Sequence, residues 1–132
     1  MKTLATIALV ATSLALGVIT ANAANVETQT QAVTINGVEI DYLEHGKGVP
    51  VVFLHGLFND DRQWLPQRDD VGARYRFIAY TQRYHGPRPS LDDGENYSNA
   101  THARDLAEFI RILDTGAVHV VARSNGATSR WA

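Results

Sequence analysis

Cysteine is absent from this 132-residue chain. Its absence excludes a disulfide framework, a thiolate metal site and a cysteine nucleophile together. No run of basic residues is present and the formal charge is only -2. An electrostatic footprint for nucleic acid is therefore missing. Internal repeats and low-complexity tracts are missing too. One apolar run alone, at the N-terminus, approaches the length that crosses a bilayer. What remains is ordinary globular material, 45% hydrophobic and 20% charged, in a length that allows one domain.

The first 23 residues read as a signal peptide. Lys2 supplies a minimal positive start, Leu4 to Ile19 is apolar, and Ala21-Asn22-Ala23 is a small-x-small cleavage site. No basic stop flanks the run, so membrane contact is expected only through this segment if it stays uncleaved. Export to the periplasm or the extracellular space follows as an expectation. Residues 24–30 read as a polar linker and 31–132 as the folded part.

The folded part alternates strands and helices. Asn36-Gly37 between Gln31–Ile35 and Val38–Tyr42 is a hairpin signal, with Val33, Ile35, Val38, Ile40 and Tyr42 as its apolar positions. Val51 to Leu54 is a continuous apolar run, as in a strand covered on both faces. Asn59, Asp60 or Asp61 can cap a helix that ends near Gly72, with Trp64, Leu65 and Val71 facing inward. Tyr75 to Tyr80 is the next strand. A loop rich in Pro, Gly and Asp follows, from Gln82 to Asn96.

Tyr97 or Ser98 then opens a helix in which Leu106, Phe109, Ile110 and Leu113 share one face. Asp105 and Glu108 are expected to be solvated, and Gly116 to stop the helix. Val118 to Ala122 reads as a buried strand. This order implies a mostly parallel sheet flanked by helices and joined by right-handed crossovers.

That last strand runs into Ala122-Arg123-Ser124-Asn125-Gly126, a small-x-Ser-x-Gly pattern of the nucleophile-elbow kind. A serine hydroxyl needs a base and an open approach for a carbonyl. A sharp strand-to-helix turn pushes it out at the sheet's carboxyl edge. The turn forces close backbone contact, so positions 122 and 126 must be small. A helix starting at Asn125 would aim free N–H groups at a developing oxyanion.

The ordered set of the hairpin, Phe53-Leu54-His55-Gly56, Tyr75 to Tyr80 leading to Arg83-Tyr84-His85-Gly86, and the elbow resembles the N-terminal half of an α/β-hydrolase over about residues 31–130. The resemblance implies a serine hydrolase acting on a small acyl substrate, with Ser124 as nucleophile. It implies oxyanion donors in the backbone N–H groups of Asn125 and Leu57, or less fittingly Phe58. His55 is then structural or pocket-shaping. Serine rather than aspartate argues against the dehalogenase and epoxide-hydrolase branches. Ala122 and Arg123 stand where Gly and His are common in the family.

The family's acid and histidine follow the nucleophile. The chain ends eight residues past Ser124. The resemblance therefore implies a partial fold, cut just after the elbow and not catalytically competent alone. The alternative is a non-catalytic exported module built on the same fold.

Other side chains carry weaker signals. His45, His55, His85, His102 and His119 include no pair at helical ligand spacing with a supporting carboxylate, so no metal or other cofactor is expected. His119 reads as a packing residue. Asp60-Asp61, Asp69-Asp70 and Asp92-Asp93 read as caps and loop acids. Asn96 and Asn99 head glycosylation sequons, which a signal of bacterial style argues against using. Tyr75, Tyr80, Tyr84 and Tyr97 read as sheet and loop packing.

Overall fold

The computed structural model describes residues 28–89 and 92–131. The proposed signal segment and most of the linker lie outside the described residues. Five strands form one mixed sheet: β1 Gln29–Ile35, β2 Val38–His45, β3 Pro50–Leu54, β4 Arg76–Tyr80 and β5 His119–Ala122, in the order β1-β2-β4-β3-β5. The β1–β2 and β2–β4 pairs are antiparallel, while β4–β3 and β3–β5 are parallel. The hairpin turn places Asn36 and Gly37 both at positive φ, 47° and 79°. This is the backbone that an Asn-Gly pair adopts most easily.

Strand β3 is buried along its whole length. Its side chains alternate between two cores, which is why the run is continuously apolar. Val52 and Leu54 join Ile35, Ile40, Ile78, Tyr80, Leu106 and Phe109 on one face. Val51 and Phe53 join Leu43, Phe77 and Ala79 on the other, with Trp64 and Val71 packed against them. The first face is covered by helix α2, Asn99–Leu113. The second is covered by a 3₁₀ turn, Asp61–Gln67, continuing into the short helix α1, Arg68–Gly72.

Several expectations are corrected in detail. The segment after β3 is not one α-helix. Pro66 has no N–H to donate, and α-helical bonding begins only after it, at Arg68. Tighter 3₁₀ winding turns Trp64 inward but leaves Leu65 40% exposed. Helix α2 is capped by Ser98, whose Oγ accepts from the Thr101 N–H at 3.1 Å. It is closed by Asp114 in the left-handed conformation, two residues before Gly116. Aspartate tolerates that conformation better than most side chains.

Strand β5 is only half-buried, because among the described strands it pairs with β3 alone. His119 is exposed and touches the Tyr75 ring edge-on at 6.4 Å. Asp105 is the largest departure. It is 1% exposed and accepts from Arg83 Nε at 2.7 Å, Arg83 Nη2 at 2.8 Å and Asn36 Nδ2 at 2.8 Å. One carboxylate thereby ties the hairpin turn and the loop after β4 to helix α2.

Removing one partner of a buried pair leaves the other charge uncompensated, at a cost of about 3–5 kcal/mol. Asp105→Ala is expected to lower stability by that amount in chemical denaturation. A loss below about 1 kcal/mol, the range of exposed pairs, would contradict the role of this tie.

Candidate active site

The site is set by strand register. In the parallel β3–β5 pair, Leu54 lies opposite Ala122. Two residues further on, Gly56 therefore meets Ser124. A Cβ at Gly56 would sit 3.3 Å from the Ser124 Cβ, so the two chains approach as closely as a glycine allows. On the other side, Leu54 lies opposite Tyr80, which brings His55 beside Gln82. The carboxyl ends of β3, β4 and β5 thus converge where the chain steps from β3 to β4 on one side and then crosses back to β5 on the other. Open parallel sheets bind ligands at that kind of crevice.

Ser124 has a φ of 50°, in the left-handed region. For a serine this conformation is strained by roughly 1 kcal/mol, and it persists only where the surroundings fix it. They do so here. The Arg123 N–H donates to Leu54 O at 3.1 Å, and the Gly126 N–H donates to Arg123 O at 3.0 Å. A Cβ on Gly126 would lie 2.4 Å from His55 O and 2.9 Å from Leu54 O. The expected need for a small residue at position 126 is met by backbone that cannot yield. A 3₁₀ turn, Ser124–Trp131, then begins one residue earlier than the helix start expected at Asn125. Ser124 is exposed.

Beside it, Gly56 is followed by Leu57, 41% exposed, and Phe58, 91% exposed with φ 65°. The turn is held by the Asn59 N–H donating to Gly56 O at 3.2 Å. The Gly56 N–H is taken by Gln63 Oε1 at 3.2 Å. Among the described residues the Leu57 N–H has no backbone acceptor. The structure thus brings Ser124 and the Gly56-Leu57 turn together, with Asn125 next in the 3₁₀ turn. Asp60 is the cap of the following turn, accepting from the Arg62 N–H at 3.0 Å.

His55 is fully buried and both ring nitrogens are engaged. Its Nε2 accepts from the Gln82 N–H at 2.9 Å, which leaves Nδ1 to donate to Gly56 O at 2.9 Å. Gln82 Nε2 returns a bond to His55 O at 2.9 Å. This ring positions the turn. Among the described residues no histidine is hydrogen-bonded to Ser124, and no group of three or more potential ligands could hold a metal.

A second cluster was not legible as a unit. His85 contacts His55 at 4.9 Å between ring centroids and His102 at 6.0 Å, and Tyr97 meets His102 edge-on at 5.0 Å. The only signal for it is that His102 lies four residues before Leu106 on the buried face of α2. A cleft of about 630 Å³ runs along this cluster, lined by Leu57, Phe58, Asp60, Tyr84, His85 and Tyr97.

A comparison with protein families completes the picture. Residues 49–129 match the model of the alpha/beta hydrolase fold family. The chain belongs to that family. It is 40% identical over 94 residues to the non-heme chloroperoxidase CPO-A1 of Kitasatospora aureofaciens, covering 70% of this chain and 34% of that protein. It is 30% identical over 98 residues to the 2-(acetamidomethylene)succinate hydrolase of Mesorhizobium japonicum, covering 74% of this chain and 34% of that protein. Among solved structures, the epoxide hydrolase VrEH1 from Vigna radiata superposes with a TM-score of 0.75 at 29% identity, over 80% of this chain and 34% of that one. The chain spans about a third of the length of the relatives it matches.

Burial shapes the site's titration. Desolvation pushes the His55 imidazole down to about 4 and also lowers His85 and His102. Asp105 favours and Arg83 opposes a charge on His102. Groups held neutral in this way bind fewer protons folded than unfolded. Their stabilisation is complete above the ordinary histidine value of about 6.5 and is lost as pH falls below it. Asp61 works in the opposite sense, because burial and then Asp60 raise its carboxyl to about 6.

Melting temperature is expected to fall from pH 7 to pH 4.5, and His102→Phe to flatten that fall. Parallel melting profiles for the two proteins would show that the cluster titrates as it does unfolded.

Proposed function

We propose that the chain carries the nucleophile half of a serine hydrolase, with Ser124 attacking the carbonyl carbon of an ester or related acyl bond. The observation that carries this reading is the strained, exposed Ser124 seated against the Gly56-Leu57 turn. A hydroxyl at such a bend can reach a carbonyl whose oxygen lies near the Leu57 and Asn125 amides. Attack forms a tetrahedral intermediate. Its oxyanion takes hydrogen bonds from those amides, and its collapse expels the alcohol and leaves an acyl-enzyme. Water then releases the acid.

The serine proton needs a base. Among the described residues no histidine is hydrogen-bonded to Ser124: His55 bonds Gly56 and Gln82, His45 lies beside Asp69, His85 and His102 sit in the ring cluster, and His119 lies against Tyr75 at the start of β5. The reading therefore assigns the base and its acid partner to residues outside the described ones, in the family's order of nucleophile, acid, histidine.

The relatives' names span several chemistries, among them a chloroperoxidase, an amide-bearing succinate hydrolase and an epoxide hydrolase. Acyl hydrolysis is favoured here because residue 124 is an alcohol, for which a carbonyl is the natural electrophile. The fold alone does not choose among them.

In a form of the protein extended to the length of its relatives, a fluorophosphonate probe is expected to label Ser124. Ser124→Ala is expected to abolish labelling and lower esterase turnover by about a thousandfold or more. Labelling that survives the substitution would overturn the assignment.

A separate substitution tests the amide. Leu57→Pro deletes that N–H and is expected to lower kcat by about 10²–10³-fold, with the circular dichroism spectrum retained. Leu57→Ala, which keeps the N–H, is expected to leave kcat within a few-fold. Equal effects would show that the side chain matters and the amide does not.

A further inference from the structure

We propose that His85, on the wall of the cleft beside Leu57, and His102, directly behind it, form a hydroxyl-reading subsite, and that the substrate presents a hydroxylated aromatic group to it. The proposal deepens the hydrolase reading, since it names the part of the substrate held away from Ser124.

Three observations carry it. His102 is 1% exposed, yet neither ring nitrogen has a protein hydrogen-bond partner. The His85 Nε2 is likewise buried and without one. Buried imidazole nitrogens are ordinarily paired, so an unpaired set marks a place where a ligand can supply the missing bonds. Third, the rings adjoin a real space. His85, Tyr84 and Tyr97 line the cleft of about 630 Å³, and His102 lies directly behind them, 5.0 Å from the Tyr97 ring and 6.0 Å from the His85 ring.

The chemistry of the ligand follows from what the pair offers. Burial holds both imidazoles neutral, and a neutral imidazole presents one N–H donor and one bare nitrogen acceptor. A hydroxyl both donates and accepts, and so matches that pair. A carboxylate only accepts and an ammonium only donates, leaving one nitrogen unserved in either case. Charge points the same way. The cleft's charged lining residue is Asp60, whose carboxylate is already bound by Arg62 at 2.5–3.0 Å. An anion entering the cleft would meet a negative side chain with no unpaired cation beside it. The walls, Leu57, Phe58, Tyr84 and Tyr97, suit an aromatic carrier, since aromatic rings pack favourably edge to face.

Binding is measured on the protein by NMR of its ring-labelled histidines, titrated with p-cresol and with toluene, which differ by one hydroxyl. p-Cresol is expected to bind at least about tenfold more tightly, the worth of one well-made hydrogen bond. It is also expected to shift the His85 and His102 resonances. His102→Phe and His85→Phe keep a ring in place and are each expected to erase most of that preference. If His102→Phe fails to fold, His85→Phe at the cleft wall carries the same test.

Equal affinity for the two probes, no binding of either, or a preference that survives both substitutions would overturn the proposal. Ser124→Ala is expected to leave the p-cresol preference intact. Fluorophosphonate labelling that survives Ser124→Ala, together with a retained preference, would therefore fail the nucleophile assignment and spare the subsite.

Discussion

The site depends on one close approach, that of the backbone at Gly126 to the carbonyls of Leu54 and His55. A methyl group there would lie 2.4 Å from the His55 oxygen. Without that approach the turn after β5 could not fold back over the end of β3. Ser124 would then have no reason to hold its left-handed φ of 50°. Parallel register does the rest. With Leu54 opposite Ala122, Ser124 and the Gly56-Leu57 turn are brought together by strand pairing before any side chain is considered. The geometry is thus a main-chain property, and the side chain at position 124 decides what the geometry is used for.

The loops at this end of the sheet are held by polar contacts that are themselves buried. His55 joins the ends of β3 and β4 through two bonds to Gln82 and one to Gly56. Asp105 joins α2 to Arg83 and to the hairpin at Asn36. Each such contact desolvates polar groups and returns modest net stability. What they supply is position. A hydrophobic contact fixes distance loosely, whereas a set of directed bonds fixes the turn from which Leu57 presents its amide. Exposed ion pairs such as Arg62–Asp60 and Arg111–Glu108 lie outside this network and add little.

The sequence made the scaffold readable because each strand and the long helix obey simple periods. Asn36-Gly37 marks the hairpin, the run at residues 51–54 marks a doubly covered strand, and Leu106, Phe109, Ile110 and Leu113 mark one face of α2. Less was readable wherever a contact is long-range and polar. Asp105 looks solvated by periodicity, since nothing local announces that Arg83, 22 residues earlier, will meet it. Leu65 looks inward-facing if the segment is α-helical, and is turned out by 3₁₀ winding before Pro66. His85 and His102 are common loop and helix residues until the fold stacks them with His55 and Tyr97. The elbow was legible because its constraint is local, whereas the imidazole cluster arises only when three separate segments pack.

The family's diversity then has a physical reading. A bend held by backbone contacts tolerates a change of its central side chain, since neither the Gly126 approach nor the β3–β5 register involves that side chain's tip. A carboxylate at the bend would already carry negative charge close to the Leu57 and Asn125 amides. Those donors would be partly occupied before any substrate arrived. A serine is neutral until it attacks, and the charge that develops falls on the substrate's oxygen rather than on the residue. Under the proposed hydrolase reading those amides would stabilise the transition state more than the ground state, which is the condition for catalysis. Under that reading the bend fixes where charge appears, and residue 124 fixes on which atom.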